Sequence, residues 1–114
     1  ASGGGLIAGV ATAVKHRWPQ AQVFSAEPST CNDLERSLAA GKRVGNAPGA
    51  TSICDALMSP IPGEITFPVH QALLSGGLSA SDAEILACST VSARRWPRRS
   101  RSTAMRRSCS RRSA

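Results

Sequence analysis

The apolar positions near the start of the chain recur with the spacing of a helix. They form a stripe of the kind that packs one helix face on a neighbour, made up of Leu6, Ile7, Val10, Ala11 and Val14. Pro19 predicts the end of this helix. Residues 21–26 then alternate between apolar and polar side chains and are rich in β-formers, which predicts a strand. A helix followed at once by a strand is typical of a parallel-sheet unit, so the pattern predicts an α/β fold.

A second helix is predicted directly after the strand. Ser29 or Thr30 is placed to cap its start, and Gly41 suits the left-handed position that follows a helix end. Residues 51–58 are apolar but too few for periodicity to separate a strand from a buried helical turn. Both alternatives therefore stay open for that segment.

Two more helices are predicted from their start and stop signals. Pro68 fits the first turn of one of them, and Gly76 with Gly77 predicts its end. Ser81 and Glu84 then have the spacing of a capping box, in which each side chain accepts the backbone N–H of the other residue. This box predicts the start of the last helix.

The positive charge is confined to the end of the chain. The formal net charge is +7, yet seven acidic residues outnumber five basic ones before residue 88. The other nine basic residues are arginines between Arg94 and Arg112. We therefore divide the chain into a partial α/β domain (residues 1–87) and an Arg- and Ser-rich tail (residues 88–114). Such a composition is typical of a disordered tail, and also of GC-rich coding sequence read in a shifted frame, which the DNA sequence would distinguish.

The cysteine spacing and the hydropathy of the chain argue against a zinc-binding protein and a membrane protein. The four cysteines show neither a C-x-x-C pair nor the Cys/His spacing of a zinc site, which predicts reduced thiols and a cytoplasmic protein. No apolar run approaches the roughly 20 residues that span a bilayer, so we expect no membrane partner. The chain opens inside a loop and without Met, which suggests that further sequence precedes it.

The glycine-rich opening carries the clearest chemical signal. We call it the glycine loop (residues 2–6), and it consists of Ser2, Gly3, Gly4, Gly5 and Leu6. Consecutive glycines before a helix let backbone N–H groups converge without Cβ atoms in the way, and the helix dipole adds positive potential. A flexible linker is the alternative, but the helix begins at once and a strand follows it. The loop therefore predicts a phosphate-binding site.

More than one phosphate-containing cofactor fits this loop. Gly3, Gly5 and Ala8 have the spacing of the dinucleotide fingerprint, with Glu27 about twenty residues further on, where it would hold the ribose hydroxyls of NAD. A nucleotide-triphosphate P-loop is excluded because no Gly-Lys-Ser or Gly-Lys-Thr follows the glycines.

Three segments together resemble threonine dehydratases and serine racemases, which are fold-type II pyridoxal-phosphate enzymes. The segments are residues 2–9 (SGGGLIAG), residues 23–28 (VFSAEP) and residues 51–57 (TSICDAL). The resemblance covers residues 1–87 and departs from the commonest family pattern at Ser2, where glycine is usual, and at Cys54, where alanine is usual.

The resemblance implies a fragment of the large domain of such an enzyme. The glycine loop would hold the phosphate of pyridoxal 5′-phosphate through backbone amides. The parent activity would be β-elimination, which deaminates L-threonine or L-serine to a 2-oxo acid and ammonia, in a homo-oligomer. In the family the lysine that binds the cofactor covalently stands well upstream of the loop, and no lysine precedes it here. Lys15 and Lys42 are predicted to be surface residues, so we assign no catalytic residue and expect the chain alone to be inactive.

The resemblance also implies a site for a divalent cation, Mg²⁺ or Ca²⁺. Its ligands would be the Glu27 carboxylate, the Cys31 backbone carbonyl and the Asp33 carboxylate, which are hard oxygen donors suited to these ions. The alternative is that Asp33 only favours the start of a helix through the helix dipole. His16 and His70 have no partner at a recognisable spacing, and we predict surface or packing roles for both.

Two other function classes stay open. An NAD-binding fragment would bring Glu27 into contact with the dinucleotide. Alternatively, the arginine-rich tail would bind nucleic acid through phosphate contacts. That tail has few aromatic residues for stacking and no recognition motif, so we do not expect a nucleic-acid partner.

Overall fold

The computed structural model describes residues 1–95. The elements in this part of the chain are α1 (Gly5–Arg17), β1 (Phe24–Pro28), α2 (Asp33–Ala40), α3 (Phe67–Leu73), β2 (Gly76–Ala80) and α4 (Asp82–Arg95). Two short 3-10 turns lie at Ser29–Cys31 and Asp55–Leu57. None of the helices in residues 1–95 is long and apolar enough to cross a bilayer.

The two strands form a parallel sheet, as the α/β prediction requires. Phe24 of β1 lies opposite Gly76 of β2, and the register continues to the pair Pro28 and Ala80. Helices α2 and α3 and the long loop between them connect the strands. Helix α2 packs on both strands, while α1 packs on α3. Parallel strands need such a crossover, so the fold confirms the predicted unit.

The strands differ in detail from the sequence prediction. Strand β1 begins three residues later and ends two residues later than the predicted strand at residues 21–26, and β2 lies where two glycines predicted only a helix end. Strand β2 contains glycine because its backbone lies close to α2: a Cβ added at Gly77 would come within 2.7 Å of the Glu35 Cα. Glycine therefore serves close packing of β2 on α2, which is a reason for glycine inside a strand that local sequence does not reveal.

The start of α2 was predicted wrongly. Ser29 and Thr30 lie in a 3-10 turn, and the residue that precedes α2 is Asn32, whose side chain caps no backbone N–H. The predicted end is confirmed, because Gly41 is left-handed (φ 67°) and donates its N–H to the Leu38 carbonyl at 3.3 Å.

The capping box at the start of α4 is confirmed. The Ser81 N–H donates to Glu84 Oε2 at 2.8 Å, and the Glu84 N–H donates to Ser81 Oγ at 3.3 Å. The Ser81 hydroxyl and its backbone N–H hold the pKa of the Glu84 carboxyl below its usual value. Helix α4 continues to Arg95, past the boundary predicted at residue 87, and residues 96–114 of the predicted tail lie outside the described residues.

The packed face of α1 coincides with the predicted apolar stripe only in part. Ala11 is buried with Ala8, and Ile7 and Val14 are half-buried, whereas Leu6 is 84% exposed and Val10 is 47% exposed. Small side chains allow α1 to lie close to its neighbour, so the buried face follows size rather than hydropathy alone.

Gly9 offers a test of helix α1 itself. It is an exposed residue inside the helix, and a Cβ there would meet nothing within 4 Å. Because glycine in a helix interior loses more conformational freedom on folding than alanine, Gly9→Ala should raise the free energy of unfolding by about 0.5–1 kcal/mol. Urea unfolding followed by circular dichroism measures this, and a lower stability would contradict the assigned helix.

Candidate functional site

The glycine loop forms a tight turn directly before α1. Ser2 and Gly4 both adopt left-handed backbone conformations, with φ of 53° and 81°. The Gly4 N–H donates to the Ala1 carbonyl at 3.1 Å, which closes the turn. Gly4 thus precedes the first helical residue, Gly5, in a conformation that glycine adopts without steric cost.

Backbone donors of the glycine loop remain available for a ligand. Among the hydrogen bonds of residues 1–95, the N–H groups of Gly3, Gly5 and Leu6 have no protein acceptor. Gly5 and Leu6 are exposed, and the first turn of α1 carries no acidic side chain. Free donors at the positive end of a helix dipole are suited to binding an anion.

The loop is supported from behind by the segment that leads into α3. The Gly3 carbonyl accepts a hydrogen bond from Thr66 Oγ1 at 2.7 Å and another from the Gly63 N–H at 3.2 Å. These bonds join residues about sixty positions apart in the chain. They hold the backbone of the glycine loop in place before any ligand binds.

His70 provides a second support, which the sequence reasoning missed. Its imidazole is fully buried, and Nε2 lies 2.9 Å from the Gly4 carbonyl oxygen. The predicted packing role was incomplete, because the ring also makes this polar contact with the loop. His70 shares the buried side of α3 with Phe67, three residues earlier, and that spacing was the one available signal. His16, in contrast, is exposed as predicted.

The loop lies beside the carboxyl-terminal half of β1. The Ala1 amine is 3.4 Å from the Ala26 carbonyl oxygen and 3.2 Å from Glu27 Oε1. Ligands of parallel α/β sheets bind outside the carboxyl ends of the strands. The position of the glycine loop fits this rule.

Glu27 anchors the start of α2. It is buried, and its Oε2 accepts the backbone N–H groups of Leu34 at 3.1 Å and Glu35 at 3.0 Å. Burial raises the pKa of the Glu27 carboxyl, and the Glu35 N–H and the Ala1 amine oppose the rise only in part. Oε2 is therefore committed to α2, and any ligand, whether a cation or the ribose of a dinucleotide, would have to use Oε1, which lies 3.2 Å from the Ala1 amine.

Asp33 lies near Glu27 and keeps one oxygen unpaired. Its Oδ1 accepts a hydrogen bond from Asn46 Nδ2 at 2.9 Å, while Oδ2 is buried without a partner in residues 1–95. Burial raises the pKa of the Asp33 carboxyl. No three His, Cys, Asp or Glu side chains of the described chain converge as a metal site. The predicted set uses the backbone carbonyl of Cys31 as its third ligand, so it stays a prediction.

The lysines lie away from the loop. Lys15 is in the last turn of α1 and has its Nζ 3.5 Å from the Pro19 carbonyl oxygen. At a rise of about 1.5 Å per residue, it is about 15 Å further along the helix axis than Gly5. Lys42 is exposed after the end of α2. Lys42 is thus a surface residue as predicted, whereas Lys15 is half-buried.

Comparison with known proteins gives a consistent result. Residues 1–95 match the family described as "Pyridoxal-phosphate dependent enzyme". The chain is 36% identical to a serine racemase of Arabidopsis thaliana over 85 residues, which are 75% of this chain and 25% of that protein. It is 36% identical to a phenylserine dehydratase of Ralstonia pickettii over 85 residues, 75% of this chain and 26% of the relative. The chain thus spans about a quarter of the length of these relatives.

Solved structures agree with the fold. A threonine deaminase from T.th. superposes with a TM-score of 0.77 and 34% identity, over 80% of this chain and 31% of that one. Maize serine racemase superposes with a TM-score of 0.74 and 35% identity, over 80% of this chain and 27% of that one. The fold-type II prediction is therefore confirmed for this part of the architecture.

Proposed function

Because the chain belongs to the family of pyridoxal-phosphate-dependent enzymes, we propose that its glycine loop binds the phosphate group of pyridoxal 5′-phosphate. The observation that carries the proposal is the set of free N–H groups on Gly3, Gly5 and Leu6 at the start of α1. Charge-assisted hydrogen bonds to phosphate oxygens are stronger than neutral ones, so a few backbone donors suffice to hold the group.

The residues of the loop bind the phosphate, and the residues that support the loop hold its backbone in position. When bound, the cofactor supplies an electron sink for reactions at the α-carbon of an amino acid. The loop donors fix the phosphate end of the cofactor, and the dipole of α1 favours its negative charge. Thr66 and His70 hold the loop from the opposite side, so that its donors are in place before the phosphate arrives.

The substrate is proposed by comparison with relatives. We propose a parent activity of β-elimination and deamination on L-threonine or L-serine, supported by the likeness to a threonine deaminase and a phenylserine dehydratase. Serine racemization is the alternative that the serine racemase relatives support. Lys15 is too far along α1 to serve the loop, so this chain contributes phosphate binding and not covalent attachment of the cofactor. We therefore propose that the chain alone is inactive.

A divalent cation, Mg²⁺ or Ca²⁺, is the second proposed ligand. Glu27, the Cys31 carbonyl and Asp33 would hold it. The support is the buried, unpaired Oδ2 of Asp33, together with the burial that raises the pKa of both carboxyls. A buried carboxylate oxygen without a donor is costly, and a hard cation would satisfy it.

The phosphate proposal is tested with a ligand that lacks the reactive aldehyde. Pyridoxine 5′-phosphate cannot form an imine with Lys15 or Lys42, so its binding to the full 114-residue chain reports the phosphate site. We expect it to bind at least about tenfold more tightly than pyridoxine, because only the phosphate makes charge-assisted bonds. Intrinsic fluorescence or calorimetry measures both affinities.

Competition supplies the controls for that experiment. Inorganic phosphate should displace pyridoxine 5′-phosphate, whereas NAD should not. Equal affinity for pyridoxine and its phosphate, or no competition by phosphate, would contradict the proposed site. Tight binding of NAD would instead favour the dinucleotide alternative.

A further inference from the structure

We propose that His70 is a positioning residue for the anion site, whose Nε2–H donates to the Gly4 carbonyl and thereby aims the Gly5 N–H at the phosphate. This inference rests on the proposed phosphate site. It concerns a side chain that lies behind the loop and reaches the ligand only through the backbone. The contact joins residues 66 positions apart, with 2.9 Å between Nε2 and the carbonyl oxygen.

The geometry of one peptide group carries the inference. The Gly4 carbonyl and the Gly5 N–H belong to the same planar, trans peptide, so they point in opposite directions. The Ala8 N–H of α1 donates to this carbonyl at 3.0 Å, and His70 adds a second donor from the buried side of the loop. The Gly5 N–H then points to the exposed side, where it has no acceptor in the described chain. Fixing one end of the peptide fixes the other.

The two supports of the loop act on different peptides. Thr66 holds the carbonyl of Gly3, but the N–H of that peptide, on Gly4, already donates to the Ala1 carbonyl. His70 holds the next peptide, whose N–H is free. Of these two contacts, only the one from His70 directs a donor that a ligand can use.

The protonation of the ring follows from its partners. The Gly4 carbonyl oxygen can only accept, so Nε2 must carry the proton. Nδ1 is buried and has no partner in residues 1–95, so nothing in the described chain requires a proton there. The contact therefore assigns the tautomer with hydrogen on Nε2. A donor at the carbonyl also polarises the peptide and strengthens its N–H as a donor, which favours phosphate binding further.

A matched pair of variants separates the hydrogen bond from packing. Gln and Met have unbranched side chains of similar length, but only Gln offers an N–H at the distance of the imidazole Nε2. We expect His70→Gln to bind inorganic phosphate and pyridoxine 5′-phosphate within about twofold of the unmodified chain. His70→Met should bind both about tenfold more weakly, since a net hydrogen bond is lost from the loop. His16→Met, on the exposed face of α1, should change neither affinity.

The readout is nuclear magnetic resonance on the ¹⁵N-labelled 114-residue chain. Phosphate should shift the Gly5 amide signal strongly in the unmodified chain and in His70→Gln, and weakly in His70→Met. The ring nitrogens of His70 should report hydrogen on Nε2. A role confined to packing would lower the melting temperature of both variants but would not produce recovery of phosphate affinity by Gln.

The outcomes distinguish this inference from the function on which it rests. If the unmodified chain binds phosphate but His70→Met binds it as well as His16→Met does, the inference is wrong and the phosphate site stands. If the unmodified chain binds neither probe, the proposed phosphate site fails and the inference fails with it. If His70→Met does not fold, the ring nitrogens of His70 in the unmodified chain provide the test. A proton on Nδ1 in place of Nε2 would mean that His70 does not donate to the Gly4 carbonyl, and the inference would be wrong.

Discussion

Replacing Gly4 with alanine should abolish phosphate binding and lower the free energy of unfolding by about 3 kcal/mol. Two costs combine at this position. The backbone is left-handed (φ 81°), which strains any residue with a Cβ. The added Cβ would also lie 2.0 Å from Cε1 of the buried His70 ring, so either the ring or the loop must move. Movement of either breaks the contact that holds the Gly5 N–H in place.

A second glycine separates these two costs. Gly41 has a similar left-handed backbone (φ 67°), but a Cβ there meets nothing within 4 Å. Gly41→Ala should therefore lose only about 1 kcal/mol and keep phosphate affinity. Urea unfolding and phosphate titration on both variants measure the difference. Equal destabilisation of the two variants, or retained phosphate affinity in Gly4→Ala, would show that His70 does not crowd the loop.

The glycine loop was predictable because its signal is local. Consecutive glycines immediately before an apolar helix describe a backbone that needs no information from the rest of the chain. The capping box of Ser81 and Glu84 and the left-handed Gly41 were predictable for the same reason. In each case the partners are within four residues of one another, so their spacing in the sequence is enough to predict the contact.

The supports of the loop were not predictable because they are long-range. His70 contacts Gly4 across 66 residues, and no pattern near either residue reports the other. The same limit explains the missed strand β2. Its Gly77 is needed only because Glu35 of α2 packs against it, and a glycine pair read locally indicates a helix end.

Glu27 shows a third case, in which the residue was identified and part of its role was missed. The sequence reasoning sought a cap for α2 at Ser29 or Thr30, within the segment that enters the helix. The structure provides the acceptor from the preceding strand instead, because Glu27 reaches the N–H groups of Leu34 and Glu35. The Glu27 carboxylate of β1 thus caps the start of α2 in place of a local residue. Its hydrogen bonds connect the strand to the helix.

Replacing Glu27 with alanine should lower the free energy of unfolding by about 2–4 kcal/mol. The substitution leaves the N–H groups of Leu34 and Glu35 without their acceptor, and Leu34 is fully buried. Glu64→Ala is the control, because its side chain is 88% exposed and its one ion pair in the described chain, with Arg43, spans 3.9 Å. An exposed pair of this kind contributes at most about 1 kcal/mol. Urea unfolding of the two variants compares a buried carboxylate with an exposed one.

The pH dependence of stability tests the same carboxylate without removing its hydrogen bonds. Burial raises the pKa of Glu27 above its usual value, so between the two pKa values the folded chain binds more protons than the unfolded chain. In metal-free buffer, the contribution of Glu27 to stability should therefore be fully present below the usual carboxyl pKa and be lost as the pH rises through the raised pKa. Glu27→Gln carries no charge and should flatten this fall, leaving the contribution of Asp33, whose pKa burial also raises.

Added Mg²⁺ or Ca²⁺ should oppose that fall in the unmodified chain, since a cation competes with the proton and binds more tightly as the pH rises. It should have little effect on Glu27→Gln, in which one of the two proposed carboxylate ligands is neutral. An unchanged pH slope in Glu27→Gln would show that Glu27 is not the titrating group. Equal stabilisation of both chains by the cation would show that the ion binds elsewhere. Only the unmodified chain has the Glu27 carboxylate together with the unpaired Oδ2 of Asp33.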